Sequence, residues 1–595
     1  MVDDLILAMA GSGGDGVISA GESLLSAVAA DGYGAMLTKS FGSQIRGGES
    51  SCRLRVSTSP VLNPGGVVDV AVAFNWEHFL RFGPEIPVGA RSIVIYEEAT
   101  GVAPEDIPLG GVRPSEVVPV PIERMAGETS GKLRAKNTIV MGLLCGWFGL
   151  AEAGVLRGMR KKFGSKGADI LAANEQAFQA GAAFAEAHPL REDRRIKPVD
   201  GRAAKILVDG NDICAAGAIF AGCRFFGGYP ITPSSEIMQF FNREIWKYGG
   251  SVLQAEDEIA GIGAVVGASF AGVKSMTATS GPGLSLKTEI MGLATIAEIP
   301  LVCVNVQRGG PSTGLPTKTE QSDLFAAAFS AHGDVARPIL APIGVADMFG
   351  VTVEAFNISE AYQTPVIVLS DQEISQRKEA IDPIDTGKFE IVDRRRPDPG
   401  ELADYVRFRM TESGVSPMSQ PGMRGGEYLA SGIEHDERGA PSVNGDVHAR
   451  MNEKRFRKLV PLQRRDDLFV KTGPDDAPLG LIAWGSVAGV ALEAAGRARA
   501  DGIPVKVLIP KLLYPVAIPV YEAFFKSLRR CIVIEQSHQG QLHKLLRMWA
   551  PCPAAFESMA KDGANPFSPE EIHTAIRTRD PSGCCGPSGD ARGTA

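Results

Sequence analysis

Short apolar runs alternate along this chain with longer stretches in which apolar positions return every three or four residues. Residues 5–10, 68–74 and 91–96 read as strands, and 17–30 and 172–187 as helices. That alternation predicts an α/β unit on a mostly parallel sheet covered on both sides. The pattern then repeats, with helices over 211–224, from Ser234 and from Glu256, and strands at 275–279, 301–306 and 366–370. A third unit has strands at 479–484, 504–509 and 531–536.

The fold class expected is therefore α/β, with several doubly wound domains. The boundaries read as 1–190 for the first domain, 191–202 for a charged linker, and 203–382 for the second domain. An irregular connecting segment follows at 383–476, a third domain at 477–566, and a largely disordered tail at 567–595. Pro417, Pro421, Gly422 and Gly425-Gly426 argue against long regular elements in the irregular tract. Such a tract is expected to wrap over neighbouring surfaces or to reach another subunit.

Composition narrows the class. A chain of 595 residues suits several domains of about 150 residues each, and 44% hydrophobic with 22% charged residues is ordinary for a globular protein. The net charge of -8 argues against nucleic acid as a partner. The longest apolar run, 139–151, falls short of a membrane span, and the acidic start Met1-Val2-Asp3-Asp4 is unlike a signal peptide, so a cytoplasmic protein is expected. None of the nine cysteines forms a C-x-x-C pair, so no metal or iron-sulfur site is expected in this chain. Cys303 reads as a small buried hydrophobe, and Cys584-Cys585 as solvent-facing thiols.

Two stretches near the amino terminus could meet a phosphate. Gly11-Ser12-Gly13-Gly14-Asp15-Gly16 follows a strand and opens a helix, where backbone amides face outward. No acid stands about 20 residues further on to grip a ribose, so the dinucleotide fingerprint is incomplete. Arg46, in a glycine-flanked polar loop, supplies one guanidinium. Gly13, Gly14 and Arg46 are the candidates should a coenzyme A phosphate bind here, with a ligand-free turn and a surface salt bridge as the plain alternatives.

The central unit is richer. Gly227-Gly228-Tyr229-Pro230-Ile231-Thr232-Pro233-Ser234 fixes a tight turn around one hydroxyl, and Glu256-Asp257-Glu258 precedes a run of small residues. Capping at a helix amino terminus accounts for one or two of those acids; the third needs another reason. These motifs, with Thr277-Ala278-Thr279-Ser280-Gly281-Pro282-Gly283 and Val306-Gln307-Arg308-Gly309-Gly310-Pro311-Ser312-Thr313-Gly314, resemble the pyrimidine-binding subunit of the 2-oxoacid:ferredoxin oxidoreductases. Residues 4–187 are similar to the gamma subunit of those enzymes, and 479–556 to a transketolase C-terminal-like domain, as in a fused gamma-alpha subunit.

The resemblance implies thiamine diphosphate and coenzyme A as cofactors and a 2-oxoacid as substrate, with 2-oxoglutarate preferred over pyruvate or branched oxoacids. It gives Glu258 the bond to the aminopyrimidine N1′, and Thr232 and Arg308 the substrate carboxylate. Tyr229, Pro230, Ile231, Ser280, Gly281 and Gly283 would line the cofactor's pyrimidine end. A beta subunit would bring the diphosphate motif, magnesium and an iron-sulfur cluster, and ferredoxin would accept the electrons. Lys274 and Lys318 are conceivable contacts for a distal carboxylate, and His332 a conceivable polar neighbour. The rival readings are a dinucleotide oxidoreductase using residues 11–16 and a non-catalytic redox scaffold.

Overall fold

The computed structural model describes residues 1–42, 48–130, 135–199, 201–563 and 565–581. It divides into two units: Met1–Asp209 with Arg377–Ile384, and Gly210–Gln376 with Asp385–Ala595.

The first unit is built on eight strands: β1 (Asp4–Ser12), β2 (Gly34–Phe41), β3 (Glu49–Ser57), β4 (Val68–Ala73), β5 (Val88–Glu97), β6 (Glu116–Val120), β7 (Ile206–Asp209) and β14 (Lys378–Ile381). Their order is β6-β5-β4-β1-β3-β2-β14-β7. The half from β6 to β1 is parallel, as the alternation predicts, but β3, β2, β14 and β7 run antiparallel in sequence. The expectation of a mostly parallel sheet fails here, since four of its strands pair antiparallel, and Lys39, Arg53 and Arg55 interrupt the apolar pattern that would mark β2 and β3 as strands. Arg55 is nevertheless buried, with its Nε 3.0 Å from Asp4 Oδ1 and its Nη1 3.1 Å from Asn63 Oδ1.

The apolar run 139–151 lies mostly in the helix Lys136–Phe148, which is buried nearly all round. It packs against the helix Ala168–Ala187 at backbone distance: a Cβ on Gly142 would lie 2.1 Å from the Phe178 carbonyl, and one on Gly181 2.2 Å from that of Ile139. Residues 191–202, expected to be a linker, instead pack on this unit. Ile196 bridges to Val2 and donates its amide to the Phe148 carbonyl at 2.9 Å, and Arg194 is buried against the Arg91 carbonyl.

The second unit holds two sheets. One contains β8 (Phe225–Gly228), β9 (Ser251–Gln254), β10 (Ser275–Thr279), β11 (Leu301–Gln307), β12 (Ile339–Leu340), β13 (Pro365–Asp371) and β18 (Leu512–Tyr514). The order is β18-β12-β13-β11-β10-β8-β9, parallel except at β18. The other contains β15 (Phe469–Thr472), β16 (Leu479–Ala483), β17 (Val505–Pro510), β19 (Arg530–Glu535) and β20 (Ala555–Ala560), in the order β15-β17-β16-β19-β20. In the first sheet the chain leaves β8 toward β9 but leaves β10 toward β11. The carboxyl ends of β8 and β10 therefore flank a topological switch point, where open α/β sheets bind ligands.

The tract 383–476 is irregular over much of its length, yet it carries the 13-residue helix Gly445–Arg457, capped by Asn444, whose side chain accepts from the amides of Asp446 and Val447. The prolines and glycines that argue against regular structure, Pro417, Pro421, Gly422 and Gly425-Gly426, lie upstream of that cap. The tract clings to the helices beneath it: Arg394 pairs with Glu360 at 2.6 Å, and Lys454 reaches buried Glu298 at 2.7 Å. Beyond 567, where a disordered tail is expected, Pro569–Thr578 forms a helix begun by a capping box between Ser568 and Glu571.

Candidate functional site

Glu258 opens the helix Glu258–Phe270, but it does not cap it. Asp257 does, accepting from the Ala260 amide at 2.8 Å. Glu258 is free for other use, and it is only 7% exposed. Among the described residues nothing donates a hydrogen bond to its carboxylate. Its backbone carbonyl accepts from fully buried Lys287 at 2.9 Å, which fixes the first residue of the helix; burial lowers the Lys287 pKa.

The small residues read from the sequence have a steric cause. A Cβ on Gly261 would lie 3.0 Å from the Cα of Gly228, so the helix passes directly over the end of β8. A Cβ on Gly283 would lie 2.1 Å from Thr279 Oγ1, 2.7 Å from Glu258 Cγ and 2.8 Å from its Oε1. Gly281 and Gly283 are in the first turn of the helix Gly281–Ile296, and Ser280 stands at its cap position without making the side-chain cap bond. The Ser280 hydroxyl is fully buried and has no partner. Glu258, Ser280, Gly281 and Gly283 thus meet beside the switch point.

Thr232 and Arg308 are also brought together. Arg308 follows β11, is 5% exposed, and donates from Nη1 to the Thr232 backbone carbonyl, while its Nε has no partner. Burial lowers the pKa of this guanidinium, and nearby Asp323 opposes that shift. The turn is closed by Ser234, whose Oγ and amide both donate to the Ile231 carbonyl, at 3.0 and 2.8 Å. Thr232 itself is exposed, as are Tyr229 and Pro230, with Ile231 half-buried. The β8 turn therefore presents its residues outward, while Arg308 lies beneath.

Sequence reading missed Asp323, Asn305 and Lys287. Asn305 Nδ2 donates to Asp323 Oδ2 at 2.8 Å, and burial raises the Asp323 carboxyl pKa against that bond. An acid three residues after Thr319-Glu320 in a polar stretch gave no signal, and Lys287 stands in a helix whose neighbours look exposed.

Other expectations are placed differently. Lys274 is buried, pairs with Asp393 at 2.8 Å and donates to the carbonyls of Ala221 and Val392, so it does not face the site. His332 is exposed. In the first unit Gly13 and Gly14 are exposed at the turn after β1, but Asp15 folds back onto it, accepting from Ser12 N and Oγ at 2.8 and 2.9 Å. Lys136 pairs with that carboxylate; burial would raise its pKa, and these contacts outweigh it. Arg46 and Cys584-Cys585 lie outside the described residues. Among the described residues no helix is long and apolar enough to cross a membrane.

Comparison with known proteins bears on the whole chain. Residues 216–454 match the family described as pyruvate flavodoxin/ferredoxin oxidoreductase, thiamine diP-bdg, and residues 6–184 that described as pyruvate ferredoxin/flavodoxin oxidoreductase. A 2-oxoglutarate synthase subunit KorA of Methanothermobacter marburgensis is 39% identical over 375 residues, 62% of this chain and 98% of that one. The 2-oxoglutarate oxidoreductase subunit KorA of Mycobacterium tuberculosis is 31% identical over 581 residues, 92% of this chain and 87% of that one. Among solved structures, 2-oxoglutarate:ferredoxin oxidoreductase from Magnetococcus marinus, with 2-oxoglutarate, coenzyme A and succinyl-CoA bound, is 37% identical with a TM-score of 0.92. That match covers 97% of this chain and 100% of the other.

Proposed function

This chain belongs to the 2-oxoacid:ferredoxin oxidoreductase family, and we propose that it is the subunit presenting the pyrimidine-side acid and the substrate-carboxylate site for coenzyme A-dependent oxidative decarboxylation of 2-oxoglutarate, or its reverse. The observation that carries this is Glu258: a nearly buried carboxylate without a donor, pressed against Gly283 at the switch point.

The residues fit thiamine diphosphate. The orphaned Ser280 hydroxyl and the donor-free Glu258 carboxylate offer polar contacts to an aminopyrimidine, and Gly283 leaves no side chain in the way. When bound, the coenzyme supplies the electron sink for cleaving the bond between the carboxylate and ketone carbons. Glu258 holds or releases one proton at the pyrimidine nitrogen. Arg308 and the Thr232 hydroxyl orient the substrate carboxylate, with Arg308 itself held by the Thr232 carbonyl. Tyr229, Pro230, Ile231 and Gly281 complete the surface around the ring.

Relatives named as subunits support activity in a complex. In this reading a beta subunit supplies the diphosphate motif, magnesium and an iron-sulfur cluster, and ferredoxin accepts the electrons. Coenzyme A bound to the Magnetococcus marinus enzyme supports the same cosubstrate here. Gly13 and Gly14, with Arg46, are the residues proposed for its phosphates. The described cysteines are all unpaired thiols, which suits the reducing cytoplasm.

The test is Glu258→Ala in the complex reconstituted with its beta subunit. Oxoacid-dependent reduction of a ferredoxin or viologen is expected to vanish while the subunits still co-elute. Near-parental turnover would overturn the assignment.

A further inference from the structure

Asn305 and Gln307 alternate along β11, both fully buried, and both are engaged by one residue. Asn305 Nδ2 donates to Asp323 Oδ2 at 2.8 Å, and the Asp323 amide donates to Gln307 Oε1 at 3.1 Å. Arg308 comes next along the chain. Asp323 is the acid whose field acts on Arg308, yet no ion pair joins the two. Arg308 is held instead by the Thr232 carbonyl, and its Nε is unpartnered.

Opposite charges within each other's field, where water is scarce, attract, and a carboxylate free to reach the guanidinium would close on it. Two features do. The Asn305 amide holds the carboxylate from one side, and Gly281 gives it room on the other: a Cβ there would lie 2.9 and 3.1 Å from the two Asp323 oxygens. The acid is thereby held against the first turn of the helix Gly281–Ile296, whose positive end favours it.

We propose that Asn305 restrains the Asp323 carboxylate from Arg308, leaving the guanidinium open to the carboxylate of the incoming oxoacid, an inference that rests on the role given to Arg308 above. Asn305 is the positioning residue, and Asp323 is the competitor it restrains. Without the Asn305 amide, Asp323 can swing onto Arg308, and the substrate must then displace a built-in competitor. Neutralising Asp323 as well removes that competitor, whereas losses from a purely structural role would accumulate.

The experiment is a double-mutant cycle in the assembled complex, reading 2-oxoglutarate binding by calorimetry without coenzyme A, and KM and kcat in turnover. Asn305→Ala is expected to weaken binding and raise KM on the order of tenfold with little change in kcat. Asp323→Asn should stay close to the parent, and Asn305→Ala with Asp323→Asn should recover most of the loss. A double variant no better than Asn305→Ala alone overturns the inference. Arg308→Ala is run alongside: unchanged binding there overturns the underlying role of Arg308, while weakened binding there with an unaffected Asn305→Ala overturns only the restraint.

Discussion

Gly283 and Glu258 occupy each other's space: a single methyl group at 283 would stand 2.7 Å from Glu258 Cγ and 2.8 Å from Oε1, closer than carbon and oxygen tolerate. The helix that begins at Gly281 and the helix that begins at Glu258 can meet only because position 283 has no side chain. Gly283→Ala should therefore displace the carboxylate and cut turnover on the order of a hundredfold, with coenzyme binding weakened and assembly retained. Steady-state rates and thiamine diphosphate titration of the variant complex check it; parental rates would show that the carboxylate's place does not matter.

Thr232 contributes two groups that substitution can separate. Its carbonyl accepts from Arg308 and survives any side-chain change, while its hydroxyl is exposed. Thr232→Val keeps the shape and the carbonyl and deletes the hydroxyl. The KM for the oxoacid should rise about fivefold, the value of one hydrogen bond of ordinary strength, with coenzyme binding unaltered. An unchanged KM would assign the turn's whole effect to Arg308.

Glu535, at the end of β19, is a fully buried carboxyl whose pKa burial pushes up to about 7, against hydrogen bonds from the amides of His543 and Leu542 at 3.0 and 2.9 Å. Because the folded form holds this proton more tightly than the unfolded chain, stability is greatest below the ordinary carboxylate range and falls as pH rises toward 7. Above that it is level. Glu535→Gln mimics the protonated group, so its melting temperature should decline less between pH 4.5 and about 7, the range spanned by the ordinary and raised values. Thermal melts across that range give the answer; parallel curves for parent and variant would exclude Glu535 as the source.

Much of the central unit was legible because its signals were local. Strand β10 spans the same residues, 275–279, that the sequence marks as a strand, and the argument that one of three acids could not be a mere cap held, since Asp257 caps and Glu258 does not. What escaped depended on distant partners. Arg55 makes β3 look polar until Asp4 and Asn63 are beside it. Asp323 means nothing in sequence until Asn305, eighteen residues earlier, folds against it. β7 and β14 close the first sheet from opposite ends of the second unit's opening segment, a pairing no local pattern encodes. Two helices were missed although their caps were readable: Asn444 before Gly445-Asp446, and Ser568-Pro569-Glu570-Glu571. Their surroundings, rich in proline and glycine, obscured them.

Strand β18, only three residues long, belongs by sequence to the region that builds the last sheet but pairs with β12 in the preceding one, Ile339 opposite Tyr514 and Leu340 opposite Leu512. β12 is shorter still, with two residues, and its outer hydrogen-bonding groups would otherwise face solvent. A polypeptide ending before residue 477 would leave that border unpaired and inclined to recruit another molecule's backbone. The carboxyl-terminal region thus covers that border, and a shortened gene product should show its defect first as poor solubility, before any question of chemistry arises.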